Sequence, residues 1–178
     1  FDIVKFADDF KRTIKWMLDG KHGPQIRKDV GQFSDTKSEL ESNPDSPKAF
    51  KLLLELIVTQ AWYYRKPTNF EVEINAFISK FGTNLKVLQR QKELFDLVEK
   101  LAQPRVKGNA KKAVQKLLEY STIKQFTEDL YLLAGQGKKV VLGEKGRDNY
   151  LRDVGYFDRI PIDKHEVRFI LRTGIYHT

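Results

Sequence analysis

The stretch Ser46-Pro-Lys-Ala-Phe50-Lys-Leu-Leu-Leu-Glu55-Leu-Ile-Val-Thr-Gln60-Ala-Trp-Tyr-Tyr-Arg65 decides the class of this fold. A serine followed by proline is a helix start: the Ser46 hydroxyl caps the first turn, and Pro47 sits where its missing N–H costs nothing. A helix is predicted over about 47–65. Phe50, Leu53, Leu54, Ile57, Val58 and Ala61 share one face, broader than the apolar stripe of a surface helix, so this helix is expected at the centre of a core.

The same period continues on both sides. Upstream, Ile3, Phe6, Phe10, Ile14, Met17 and Leu18 form an amphipathic stripe closed by Gly20, with His22-Gly23-Pro24 after it. Residues 31–46 are polar and carry Pro44, which predicts a short helix or loop ending in a connection. Downstream, Thr68 opens a helix with Phe70, Ile74, Phe77, Ile78 and Phe81 on one face and Gly82 as its stop. One or two helices are expected within Leu85–Leu101, another over Asn109–Tyr120 and a further one over Thr122–Ala134. Only Lys139-Val-Val-Leu142 is strand-like, and four residues between glycines make no sheet. The fold class is all-α.

Composition narrows the chemistry. The chain has 178 residues, no cysteine and three histidines, which excludes disulfides, iron–sulfur clusters, Cys-ligated zinc and a thiol nucleophile. No metal or cofactor is implied, and any reaction rests on Lys, Asp, Glu, Tyr or hydroxyls. The longest apolar run, Leu52–Val58, is broken by Glu55, so no membrane span or signal peptide is expected, and the protein is read as intracellular. Because the chain opens on Phe1 rather than Met, residues upstream are expected to have been removed or not recorded. Lys and Arg number 32 against 24 Asp and Glu, a net charge of +8, compatible with binding nucleic acid through its phosphates. Glycine and basic residues concentrate in the last third, where glycine turns before helices can offer free N–H groups to an anion.

There the segment Val141-Leu-Gly-Glu-Lys145-Gly-Arg-Asp-Asn-Tyr150-Leu-Arg-Asp-Val-Gly155-Tyr, followed by Ile160-Pro-Ile-Asp163-Lys-His165, resembles the helix-hairpin-helix DNA glycosylase superfamily. It is most like the type-2 8-oxoguanine DNA glycosylases, whose corresponding helix reads aromatic-Leu-Arg-Asn-Val-Gly-Tyr before Ile-Asp-Arg-His. Lys145 and Asp163 stand 18 residues apart, the separation used by bifunctional members. Leu56-Ile-Val-Thr-Gln60 and Gly108-Asn-Ala-Lys-Lys-Ala113 echo the family less specifically, and the resemblance covers about residues 50 to 172.

The resemblance implies a two-lobed fold with the active site in the cleft between lobes: 47–157 as a six-helix lobe with the hairpin at about 124–155, and 1–46 plus 158–178 as a second, incomplete lobe. It implies a monomeric base-excision-repair enzyme acting on damaged double-stranded DNA, 8-oxoguanine above all, in the cytoplasm or nucleoid. Lys145 would be the nucleophile and Asp163 the acid that orients it or steadies the oxocarbenium-like transition state. Gly143, Gly146, Arg147, Lys139, His165 and Gln60 would contact DNA. The missing cysteines set the chain apart from the iron–sulfur branch of endonuclease III-like members. Two positions depart from the pattern: Val141 replaces the first hairpin glycine, and Arg147 replaces a small residue that lets helices pack closely. A second register, Leu133-Ala-Gly-Gln-Gly-Lys-Lys139, keeps both glycines but sets Lys139 24 residues before Asp163.

The chemistry is coherent on its own terms. An amine nucleophile must be neutral, yet an ordinary lysine titrates near ~10.4, so burial or nearby cations must lower it. A base inside a duplex must be flipped out before C1′ is reachable. Simpler roles compete residue by residue. Asp163 is also a natural N-cap, Gln60 a helix-end hydrogen bonder and His165 an indirect one, while Trp62, Tyr63 and Tyr64 suit a core as well as a base stack. Two further functions stay open: a monofunctional glycosylase, and a helical DNA-binding module without catalysis.

Overall fold

The computed structural model describes residues 23–59, 67–135 and 142–156, together with positions 8, 11, 12, 15, 16, 19 and 20. Among these residues the structure is helical, with no strand. The bounded helices are α1 (Gly23–Ser42), α2 (Pro47–Thr59), α3 (Phe70–Phe81), α4 (Leu85–Leu88), α5 (Glu93–Leu101), α6 (Lys107–Leu117), α7 (Ile123–Gly135) and α8 (Glu144–Asp153). Lys139–Val141 of the strand-like tetrapeptide lie outside the described residues, and Leu142 is a buried turn residue. The chain divides into two compact units, one of Phe1–Ser34 with Ile162–Thr178 and one of Asp35–Pro161.

In the first unit, Asp8, Lys11, Arg12, Lys15, Trp16 and Asp19 are helical and Gly20 is a bend. The Gly20 N–H closes on the Trp16 carbonyl at 2.9 Å, so the glycine stops this helix as its position predicts. The side chains of these six helical residues are exposed.

The second unit is built around α2. Ser46 Oγ accepts the Ala49 N–H at 3.1 Å and donates to Glu39 on α1, so the expected cap is present and also ties two helices together. Ala49, Phe50, Leu53, Leu54, Ile57 and Val58 are all buried. This wide apolar face lets α2 pack on α3, α5, α6 and α8 at once. Phe50 stacks on Phe77 of α3 with centroids 6.4 Å apart. The end of the helix predicted to reach about residue 65 lies outside the described residues.

Residues 31–46 differ from expectation. Instead of a short helix or loop, α1 runs without a break to Ser42. Thr36 and Leu40, four residues apart, are both buried, so a stretch polar in composition still carries a helical stripe into the core. Residues 35–46, set with the other lobe on sequence grounds, therefore fall inside the compact unit of Asp35–Pro161.

The remaining helices differ in how they start and stop. α3 begins at Phe70 after the turn at Thr68 and ends at Gly82, whose φ is 70°. Leu85–Leu101 holds two helices, with the Asn84 side chain accepting the Val87 N–H at 3.3 Å. α6 stops at Leu117, and the exposed carbonyl of Leu118 is taken by the Gln89 amide at 2.6 Å. Thr122 caps α7 by accepting the Gln125 N–H at 3.2 Å.

A knot at the α1–α2 turn joins these parts. Asp45 Oδ1 accepts the N–H of Ile123 at 3.2 Å, and its carbonyl receives the Thr83 hydroxyl. The Lys124 N–H reaches the Pro44 carbonyl at 2.9 Å. Burial raises the Asp45 pKa above the ordinary carboxylate value, although backbone N–H groups of Ile123 and Leu85 and the charge of Lys86 pull the other way. One side chain thus serves the first turns of two helices, α4 and α7.

Candidate functional site

The site singled out by sequence is centred on α7, α8 and the turn before α8. The two helices pack on each other, and α8 also packs on α2. Gly143 stands immediately before α8 with φ 65°, a conformation that costs other residues energy through their Cβ. The first intrahelical bond runs from the Arg147 N–H to the Gly143 carbonyl at 3.0 Å. Gly143 has no side chain with which to cap this helix, and the leading N–H groups have no acceptor within it. Lys145 is its second residue.

Gly146 is buried against α2. A Cβ there would lie 3.0 Å from Leu56 Cδ1. The small residue that lets the helices approach is thus the one after Lys145, and position 147 can carry arginine. Arg147 is itself buried, with Nε donating to Asp148 Oδ1 at 2.8 Å. Its Nη1 and the Nδ2 of buried Asn149 find no hydrogen-bond partner among the described residues. Two residues apart on a helix, these donors face different ways.

The Leu151–Tyr156 block has a structural role as well. The Gly155 N–H bonds the Arg152 carbonyl at 2.9 Å and the Tyr156 N–H bonds that of Leu151 at 2.8 Å, with Gly155 at φ 101°. This pair of bonds is a Schellman stop, which needs a left-handed residue where the glycine stands. Tyr156 then lies 4.7 Å from Tyr131 between ring centroids, with Lys37 Nζ 4.8 Å over its ring. Lys37, Tyr156, Leu40, Glu41, Lys124 and Glu128 line a cavity of about 360 Å³.

Two buried polar groups steady α8. Tyr150 OH and Thr127 Oγ1 lie 2.8 Å apart, and Thr127 also donates to the Ile123 carbonyl at 2.8 Å. A hydroxyl has one proton, so Tyr150 donates to Thr127. Burial pushes the Tyr150 phenol far above its ordinary pKa. Asp153 is also raised, first by burial and further by the charge of Glu55 on α2, against the pull of Arg152, whose Nε donates to it at 2.8 Å.

Of the predicted site residues, Gly143, Lys145, Gly146 and Arg147 come together in the first turn of α8. Asp163, His165, Lys139 and Gln60 lie outside the described residues, as do Trp62, Tyr63 and Tyr64. The weaker block at Gly108 opens α6, where Ala110 and Ala113 are buried and Lys111 pairs with Glu99 at 2.9 Å. Among the described residues no cluster of His, Asp or Glu could hold a metal, and no helix is long and apolar enough to cross a membrane. Sequence reasoning missed the Leu56–Gly146 approach, the Thr127–Tyr150 bond and the Lys37–Tyr156 contact. Each joins residues from separate helices, and none leaves a spacing signal.

Comparison with protein-family models, with curated proteins and with solved structures finds no match to this chain.

Proposed function

We propose that this chain is a DNA glycosylase with an associated lyase activity, removing a damaged base, 8-oxoguanine in the first instance, from duplex DNA. The observation that carries the proposal is the start of α8. A left-handed glycine, which has no side chain to cap it, opens a helix that packs on α7, and the lysine of the glycosylase-like sequence block is its second residue. Such a start suits a phosphate, and it would hold the substrate strand beside Lys145.

In this reading the neutral Lys145 amine attacks C1′ as the bond to the damaged base breaks, and the base leaves with the bonding electrons and gains a proton. Ring opening gives a Schiff base, from which loss of the C2′ proton expels the 3′ phosphate. Asp163 would take up and return the protons and offset the positive charge developing at C1′. The second lobe, the cleft, the monomeric state and an intracellular place of action belong to the same proposal.

Borohydride trapping on duplexes carrying one lesion each tests it. The expected result is a covalent protein–DNA adduct with wild type, none with Lys145→Gln, and base release that falls with Asp163→Asn. Base release without an adduct would leave a monofunctional glycosylase. Binding with no release from any lesion would leave a helical DNA-binding module.

A further inference from the structure

We infer that the N-terminal helix carries a second nucleic-acid contact, a stacking platform for an unpaired base made by Trp16 with Lys11, Arg12 and Lys15. Asp8, Lys11, Arg12, Lys15, Trp16 and Asp19 are all helical, and their spacing in the sequence places them on one helical face. All are exposed, Trp16 at 75%.

Tryptophan is the largest side chain, and leaving it in water forfeits the burial that normally retains it. The surface around it is what a strand of nucleic acid complements. Lys11 and Lys15 are one turn apart, Arg12 lies one turn before Trp16, and the two carboxylates stand at the ends of the stripe, so the cations and the ring share its middle. Phosphates on the lysines and a base on the indole is the usual division of labour in single-strand binding, because every base offers a face to an aromatic ring whatever its sequence. An anionic membrane would also attract the cations. An interfacial helix, however, carries its tryptophan with the apolar side chains that enter the lipid, whereas helical spacing groups Trp16 with Lys11, Arg12 and Lys15 and apart from Phe6, Phe10, Ile14 and Met17. The observations therefore favour single-stranded nucleic acid.

This surface does not rest on the lyase reading, since a chain unable to form a Schiff base would keep it. Its test is the affinity of the full chain for a labelled short oligothymidylate at low salt, measured by fluorescence anisotropy, with and without Lys145→Gln. At an exposed position Trp16→Ala leaves packing intact, and it should weaken binding by at least about fivefold, while Trp16→Phe, which keeps a ring, should restore most of it. Lys11→Gln with Lys15→Gln should flatten the salt dependence by about 1.4 in log–log slope, roughly 0.7 for each phosphate no longer neutralised. Equal losses in the Lys145→Gln background support the platform even where trapping finds no adduct. Unchanged affinity in Trp16→Ala overturns it. Retention on phosphatidylserine vesicles that depends on Trp16, with no response to the oligonucleotide, overturns it in favour of a membrane surface.

Discussion

Two helices packed on each other, α2 and α8, reach the interior by opposite routes. α2 is Pro-Lys-Ala-Phe-Lys-Leu-Leu-Leu-Glu-Leu-Ile-Val-Thr, and six apolar residues carry it into the core. α8 is Glu-Lys-Gly-Arg-Asp-Asn-Tyr-Leu-Arg-Asp, and yet Gly146, Arg147, Asn149, Tyr150 and Leu151 are all buried. One helix is held by transfer of hydrocarbon out of water, which is tolerant of detail. The other is held by a close approach at a glycine, a phenol–hydroxyl bond and a glycine stop, each of which depends on a particular atom. A helix of the second kind can keep polar groups inside, including donors without partners, next to the turn that carries the proposed chemistry.

If that contrast is right, the largest loss comes from α2. Phe50→Ala removes a fully buried ring from between α2 and α3 and should destabilise the protein by about 3–5 kcal/mol in urea unfolding, cavity included. A loss below about 1 kcal/mol would mean that α2 is not the centre of the core.

That much was legible, because hydrophobic spacing needs only one segment at a time. The α2 face, the Ser46 cap, the stops at Gly20 and Gly82 and the Thr122 start all follow from residues within a turn or two of each other. Residues 31–42 misled because Thr36 and Leu40 are too few to register as a stripe. At the candidate site, Gly143 could be read as a turn residue from its neighbours. Whether Arg147 faces DNA or the interior depends on α2 and α7, far away in sequence, and the structure shows it buried. The aspartate at 163 has no such local constraint tying it to Lys145, so its role rests on resemblance.

The next effect sharpens the comparison on the α8 side. Thr127 and Tyr150 share one hydrogen bond, but the two ends are unequal. Tyr150→Phe leaves Thr127 still donating to Ile123 and should cost about 0.5–1.5 kcal/mol. Thr127→Val strands the buried phenol proton and should cost more, about 1–3 kcal/mol. Adding Tyr150→Phe to Thr127→Val should then recover part of the loss. Equal single losses that simply add would show that the bond does not hold α8 in place.

The smallest effect is the most informative about how α8 meets α2. A Cβ at Gly146 would come 3.0 Å from Leu56 Cδ1 and 3.9 Å from its Cγ, so the nearest obstacle is the end of a flexible side chain rather than backbone. Gly146→Ala would gain up to about 1 kcal/mol from helix propensity and lose a similar amount as Leu56 shifts by a few tenths of an ångström. The expected net change is within about 0.5 kcal/mol of zero. In a Leu56→Ala background the obstacle is gone, and the same substitution should show most of its propensity gain, leaving a coupling of about 0.5–1 kcal/mol in the double-mutant cycle. Strict additivity would mean that the approach of α8 to α2 is set elsewhere. In that case packing would leave Gly146 free to vary, and any constraint on this neighbour of Lys145 would come from the proposed substrate.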